Sequence, residues 1–317
     1  MLNLLLVSIC LVSGGCASLM HKTAISATGG LLAKASEEVW QEGNIKFFEQ
    51  GVPGNLKMME GLLHVSPEDR GLLASLTKGY AGFAYVVNET ETIKDKILGL
   101  DESYNIEQAI FNYSKAASFG NRYLKTMGVD LDKVVKDLSN QELLSRELSK
   151  IDEEKEAYET VFFLAQSMGS LILLQQHKIY MLAKRPMVDS LIKWVCQRMP
   201  NINNGACQLF DAMNLTLTPP MMGGDPEKGR QIFVDNIQKR PNNWIFRTAY
   251  IRFYLAPQGD EEGYAEQKTF LEAAREKFVQ SLHFDLEKQS KPNKLKLFQA
   301  LALKRFEIIK SLEEEIF

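Results

Sequence analysis

Around three prolines of this chain the same apolar pattern recurs, and that recurrence constrains the fold more than any other feature. Nine residues before Pro67, Pro200 and Pro241 stand Met58, Leu191 and Ile232; eight before stand Met59, Ile192 and Phe233; four before stand Leu63, Cys196 and Ile237. Nine residues after come Leu76, Leu209 and Tyr250, and thirteen after come Tyr80, Met213 and Tyr254. The first three offsets share one face of a helix, and the last two share one face of the next. Proline cannot continue a helix, so each marks the turn between them. Met59, Leu76, Tyr80, Ile192, Leu209, Phe233, Tyr250 and Tyr254 are thus repeat-packing positions. Apolar residues recur three and four apart from about Leu31 onward, and alternating β-branched runs are almost absent. Breakers fall at Pro53-Gly54, Gly128, Pro186, Pro219-Pro220, Pro257 and Pro292. The expected fold is all-α: a tetratricopeptide-like helical-repeat array of antiparallel pairs over residues 31–317.

The copy around Pro241 is the fullest. Asp225 suits the cap of its first helix, Pro226 the first helical position and Glu227 the positive end of the dipole. Pro219-Pro220 ends the preceding helix, and Gly223-Gly224 permits a sharp turn. Met221 and Met222 lie in that turn, where they either line an adaptable groove or pack; Met58-Met59 are expected in the core. Gly229 and Asn236 stand where the tetratricopeptide motif usually has alanine, and Pro200 and Pro241 are 41 residues apart rather than about 34. A weaker copy holds Ala109, Tyr113 and Ala116, and "YAEQKTFLEAAREKFVQSL" is a candidate for another.

The net charge of −3 and the lack of a Lys/Arg stripe argue against nucleic acid. The N-terminus argues for export. An apolar run from Leu4 to Val12, broken only by Ser8, leads through Ser13-Gly14-Gly15 to Cys16. This is a signal peptide over residues 1–15 with a small-residue cleavage site, too short to span a bilayer. Its end resembles a bacterial lipobox, although Ser13 stands where an aliphatic residue is usual. Cys16 is either acylated, with 16–30 as its tether, or exposed by plain cleavage. That leaves Cys196 and Cys207, which either close a disulfide across a helix–turn–helix corner or remain buried free thiols. The most apolar later stretch, residues 161–182, is interrupted by Gln166, Ser167, Gln175, Gln176, His177 and Lys178. It falls short of the roughly 18 continuous apolar residues of a span and reads as a buried helix.

Catalytic constellations are scarce. His21, His64, His177 and His283 are isolated, with no metal-ligand spacing. Ser75 to Lys78 and Ser190 to Lys193 both match S-x-x-K, and the duplication shows how cheap that match is. Neither K-T-G nor S-D-N accompanies them. No catalytic, metal or cofactor residues are expected, and the acidic runs at 152–159 and 312–316 read as solvated faces.

The wording of one corner is more specific than its physics. "PPMMGGDPEKGRQIF", from Pro219, Pro220, Met221, Met222, Gly223, Gly224 and Asp225 onward, resembles the signature of the TRAP transporter T-component family. Residues 51–87, 106–124 and 185–195 support the resemblance, which covers about residues 30–280. It implies a periplasmic lipoprotein, anchored at the outer or inner membrane, with a tetratricopeptide-like fold and self-association, a trimer being one form. It also implies docking to the transporter's solute-binding protein and handling of a hydrophobic small molecule. A scaffold lipoprotein of envelope assembly is the alternative, and an envelope hydrolase ranks last.

Overall fold

A computed structural model describes residues 38–137, 141–282 and 293–317; the signal segment, Cys16, the tether, His21, His283 and Pro292 lie outside the described residues. Those residues form helices and no strand. The first is α1 (Ile45–Val65), followed by α2 (Arg70–Phe83), a π-helical turn (Ala84–Asn88) and α3 (Glu89–Ile97). Then come α4 (Tyr104–Lys125), α5 (Leu131–Lys136), α6 (Gln141–Leu148) and α7 (Lys155–Leu174). The single turn α8 (Ile179–Leu182) precedes α9 (Arg185–Arg198), α10 (Ala206–Leu217) and α11 (Pro226–Lys239). The chain continues through α12 (Ile245–Tyr250), a second π-helical turn (Ile251–Leu255), α13 (Ala256–Gln258), α14 (Glu261–Ser281), α15 (Lys296–Lys310) and α16 (Glu313–Ile316).

Short polar side chains start these helices where the sequence places them. Asn44, Asp69, Ser103, Asp225 and Asp260 each accept a hydrogen bond from a backbone N–H in the first turn. Each such cap is worth about 1 kcal/mol. Pro67, Pro200 and Pro241 all fall in turns between helices. Pro53-Gly54 does not interrupt: α1 runs through it. Pro53 lies on the exposed side of α1, so the carbonyl freed by its missing N–H faces solvent.

Long helices follow one another in alternating direction. Tyr80 and Lys115 meet between α2 and α4, Gly120 and Leu164 between α4 and α7, and Gly169 and Val188 between α7 and α9. The rings of Phe233 and Tyr250 meet at a tilt between α11 and α12, and Lys310 reaches Glu272 between α15 and α14. α15 then returns to the start of the array and packs on α3. The result is repeat-like antiparallel stacking that curls back on itself. Two apolar clusters fill it, one centred on α2, α4, α7 and α9 and the other on α12, α14 and α15; Trp40, Val52, Phe83 and Tyr85 pack against both.

Of the repeat-packing residues, Met59, Leu76, Tyr80, Ile192, Phe233 and Tyr250 are buried, while Leu209 and Tyr254 are half-buried. Ala109, Tyr113 and Ala116 are buried on α4. Met58, expected in the core beside Met59, is 49% exposed, because adjacent residues on a helix point about 100° apart. The apolar stretch 161–182 is not one helix: α7 ends at Leu174, and Gln175 to Lys178 turn the chain before α8. By length and composition α7 could cross a membrane, but 56% of its apolar window is buried in the bundle. The acidic run at 152–159 is no bare solvated face, since Asp152 pairs with Arg70 and Glu159 with Lys78. At the other acidic run, Glu313 pairs with Lys268.

Candidate functional site

The signature corner is built by close approach of backbone. Met222 N–H donates to Pro219 C=O (2.8 Å), Gly224 N–H donates to the same carbonyl (3.2 Å), and Asp225 N–H donates to Leu215 C=O (3.0 Å). Gly223 adopts φ +93°, where glycine is favoured. A Cβ on Gly224 would stand 1.7 Å from the Thr218 carbonyl oxygen, so only glycine fits. Asp225 Oδ1 accepts from Lys228 N–H (3.0 Å) and starts α11. Between these fixed points Met221 and Met222 project outward, 93% and 71% exposed. They are neither core nor covered by any described residue.

The residues that depart from the alanine pattern have structural work. A Cβ on Gly229 would lie 2.6 Å from Thr216 Cγ2 and 3.0 Å from Ala212 C=O, so its absence lets α11 press on α10. Asn236 is buried, donates to Ile232 C=O (2.8 Å) and accepts from Arg240. Arg240 in turn donates to Asn201 Oδ1 (3.1 Å), tying the end of α11 to the Pro200 turn.

Helices α9 and α10 run antiparallel but stand apart, joined at their two ends. Near the Pro200 turn, Cys196 and Cys207 are bonded, Sγ–Sγ 2.11 Å. At the other end Arg185 donates to Asn214 Oδ1 (3.3 Å) and to Thr218 Oγ1, and Asn214 Nδ2 donates to Asp189 Oδ1 (3.2 Å). Between these fastenings lies a cleft of about 540 Å³, lined by Asp189, Ile192, Lys193, Phe210 and Asp211 among others. Burial pushes the Asp189 carboxyl above its ordinary range; burial and then the charge of Asp189 do the same to Asp211. Leu182 precedes the Arg185 fastening and Leu217 adjoins Thr218. Both are exposed, as are Ile179 and Tyr180. Exposed apolar residues thus lie within a few chain positions of the Arg185 fastening on both of its strands of chain, at 179–182 and at Leu217.

A second polar centre lies where the two apolar clusters meet. Arg305 of α15 donates to the Tyr85 carbonyl (2.7 Å), to Thr90 Oγ1 (3.1 Å) and to Glu89 Oε1 (3.5 Å), and its guanidinium lies 4.2 Å over the Tyr85 ring. Glu89 Oε2 accepts from Tyr113 Oη (2.6 Å) and Ser170 Oγ (3.1 Å). Burial, then Glu89, holds the Tyr113 hydroxyl well above its usual range, so it stays a donor. Both π-helical turns border this centre, the first carrying Tyr85 and the second Arg252. Such turns are rare and concentrate at functional sites.

Sequence reasoning missed Glu89, Arg252 and Arg305, and a π-helical turn leaves no trace in three-and-four periodicity. A usable signal was present: Arg252 and Arg305 each interrupt an apolar run, "AYIRFYL" and "LALKRFEII". At the S-x-x-K matches the structure shows ordinary structural contacts for one residue of each. Lys78 is paired with Glu159 and Ser190 donates to Pro186 C=O. No His/Cys/Asp/Glu group among the described residues could hold a metal ion.

A model of the TRAP transporter T-component family matches residues 41–317, most of the chain. The chain belongs to that family. Membership gives this T-component an accessory role in a TRAP transporter and places it with the transporter's other components at the bacterial envelope. It also favours transport over envelope scaffolding. No curated protein matches the chain.

Proposed function

We propose that this T-component is a lipid-anchored periplasmic accessory that docks the transporter's solute-binding protein and relays a hydrophobic small ligand. The observation that carries the reading is the signature corner, fixed by its backbone hydrogen bonds, with Met221 and Met222 exposed and with Leu217 and Leu182 exposed as well. Methionine and aromatic side chains on a fixed frame are the common anchors of protein interfaces. The reading includes a signal peptide over 1–15, acylation at Cys16, a tether over 16–30 and a single tetratricopeptide-like domain over 31–317, which also self-associates.

The docking test is binding of the purified chain to the solute-binding protein encoded beside it. Replacing both methionines by glutamate is expected to weaken binding at least about tenfold with an unchanged melting temperature. No binding by the unaltered chain defeats the reading. Intact mass of the membrane-extracted protein tests Cys16, and light scattering tests self-association.

A further inference from the structure

The second π-helical turn sets Arg252 in the wall of a crevice of about 190 Å³. The other walls are mostly aliphatic, from Ile97, Pro257, Ile309 and Ile316, with exposed Glu315 beside them. Arg252 is the odd arginine of this molecule. Arg122, Arg185, Arg230, Arg240, Arg247 and Arg305, the other arginines at least partly buried, each donate to an oxygen. Among the described residues Arg252 donates to none and joins no ion pair; its guanidinium rests 4.8 Å from the Phe253 ring. A guanidinium cannot shed its proton to escape this position, and a sheltered charge without a partner is costly.

Neither nearby carboxylate meets the need: exposed Glu315 forms no ion pair with Arg252, and Glu89 is occupied elsewhere. Both Glu89 oxygens are engaged, Oε1 by Arg305 and Oε2 by Tyr113 and Ser170. Glu89, Arg305 and Arg252 therefore leave one positive charge over. Burial also lowers the Arg252 pKa, the direction expected of a cation lacking its counter-charge.

We propose that this crevice binds a small amphiphilic monocarboxylate, its carboxylate held by the Arg252 fork and its short aliphatic body against Ile97, Pro257, Ile309 and Ile316. A planar guanidinium with free donors fits two carboxylate oxygens at once. The aliphatic walls reject a compact, fully hydrated anion such as phosphate, and the positive charge rejects an amine of the same length. The inference rests on the reading that this T-component handles a small ligand, but not on docking.

The test is calorimetric titration of the full chain with hexanoate, and with hexanol, hexylamine and inorganic phosphate as controls. Hexanoate is expected to bind one site with a Kd on the order of 0.1–1 mM, as befits so few atoms. Arg252→Met is expected to weaken it about 10- to 100-fold, the usual range for losing a charged hydrogen-bond partner, and Arg252→Lys by less. Ile316→Trp, which fills the crevice and leaves Arg252 in place, is expected to abolish binding even if the arginine variants fold poorly. Absence of hexanoate binding, equal binding of hexanol or phosphate, or indifference to both Arg252→Met and Ile316→Trp overturns the proposal. Hexanoate failure with docking intact sinks this inference alone; failed docking with hexanoate bound sinks only the docking.

Discussion

Glutamine at position 89 is the sharpest probe of how this molecule is held together. Glu89→Gln keeps the shape of the side chain and removes its charge. The Glu89 side chain is 15% exposed and that of Arg305 8%, so water cannot readily replace the lost interaction. Breaking a buried ion pair from one side typically costs about 3–5 kcal/mol. Arg305 keeps the Tyr85 carbonyl and Thr90 Oγ1, and glutamine still accepts one hydrogen bond, so about 2–3 kcal/mol is the expected loss. For a domain of this size that lowers the melting temperature by about 3–5 °C. Arg305→Met should cost a similar amount, because it strands the carboxylate. The double variant should be less destabilised than the sum by at least about 1 kcal/mol, since each change removes the partner the other leaves unpaired. Urea unfolding at neutral pH, followed by tryptophan fluorescence and far-ultraviolet circular dichroism, reads all four proteins. A Glu89→Gln protein within about 0.5 kcal/mol of the parent, or strict additivity in the double variant, would refute the reasoning.

Three further outcomes are expected. Opening the Cys196–Cys207 bond with Cys196→Ser/Cys207→Ser frees a loop of sequence separation 11, and should cost about 3 kcal/mol while letting α9 and α10 part; an unchanged urea midpoint would count against it. Gly224→Ala must displace the Thr218 carbonyl and forfeit the corner's backbone hydrogen bonds, a loss of about 2–4 kcal/mol, and should abolish docking with Met221 and Met222 intact. Burial raises the Glu60 carboxyl, but hydrogen bonds from Lys115, Lys57 and Tyr80 outweigh it and bring it down to about 2. A depressed carboxyl stabilises the fold above its unfolded value near 4.5 and ceases to as pH falls toward 2, so Glu60→Gln should flatten stability across that window.

The helix pairs were legible because their signals are local. Pro67, Pro200 and Pro241 announce turns, and Asp69 and Asp225 announce helix starts, through chemistry confined to a few neighbouring residues. Pro53 misled because the cost of a helical proline falls where the carbonyl it orphans can reach water, and exposure is not written in the residues beside it. Gly229 and Asn236 looked like defects in a motif; their purpose is visible only once α11 is laid on α10 and Arg240 on the Pro200 turn. The polar centre was hidden for the same reason. Glu89 and Arg305 are separated by 216 positions, and no pattern along the chain joins them.

That separation bears on how the protein comes apart. An open solenoid can unzip from either extremity, one repeat at a time, because each unit answers only to its neighbours. Here the Arg305 clasp on Tyr85 joins the ends of the coil, so late and early helices should melt in one event. During synthesis the clasp has to wait until α15 has emerged, and α3 spends that interval without its cover. Hydrogen exchange in α3 and α15 should accordingly report a shared opening, slower than in the middle helices.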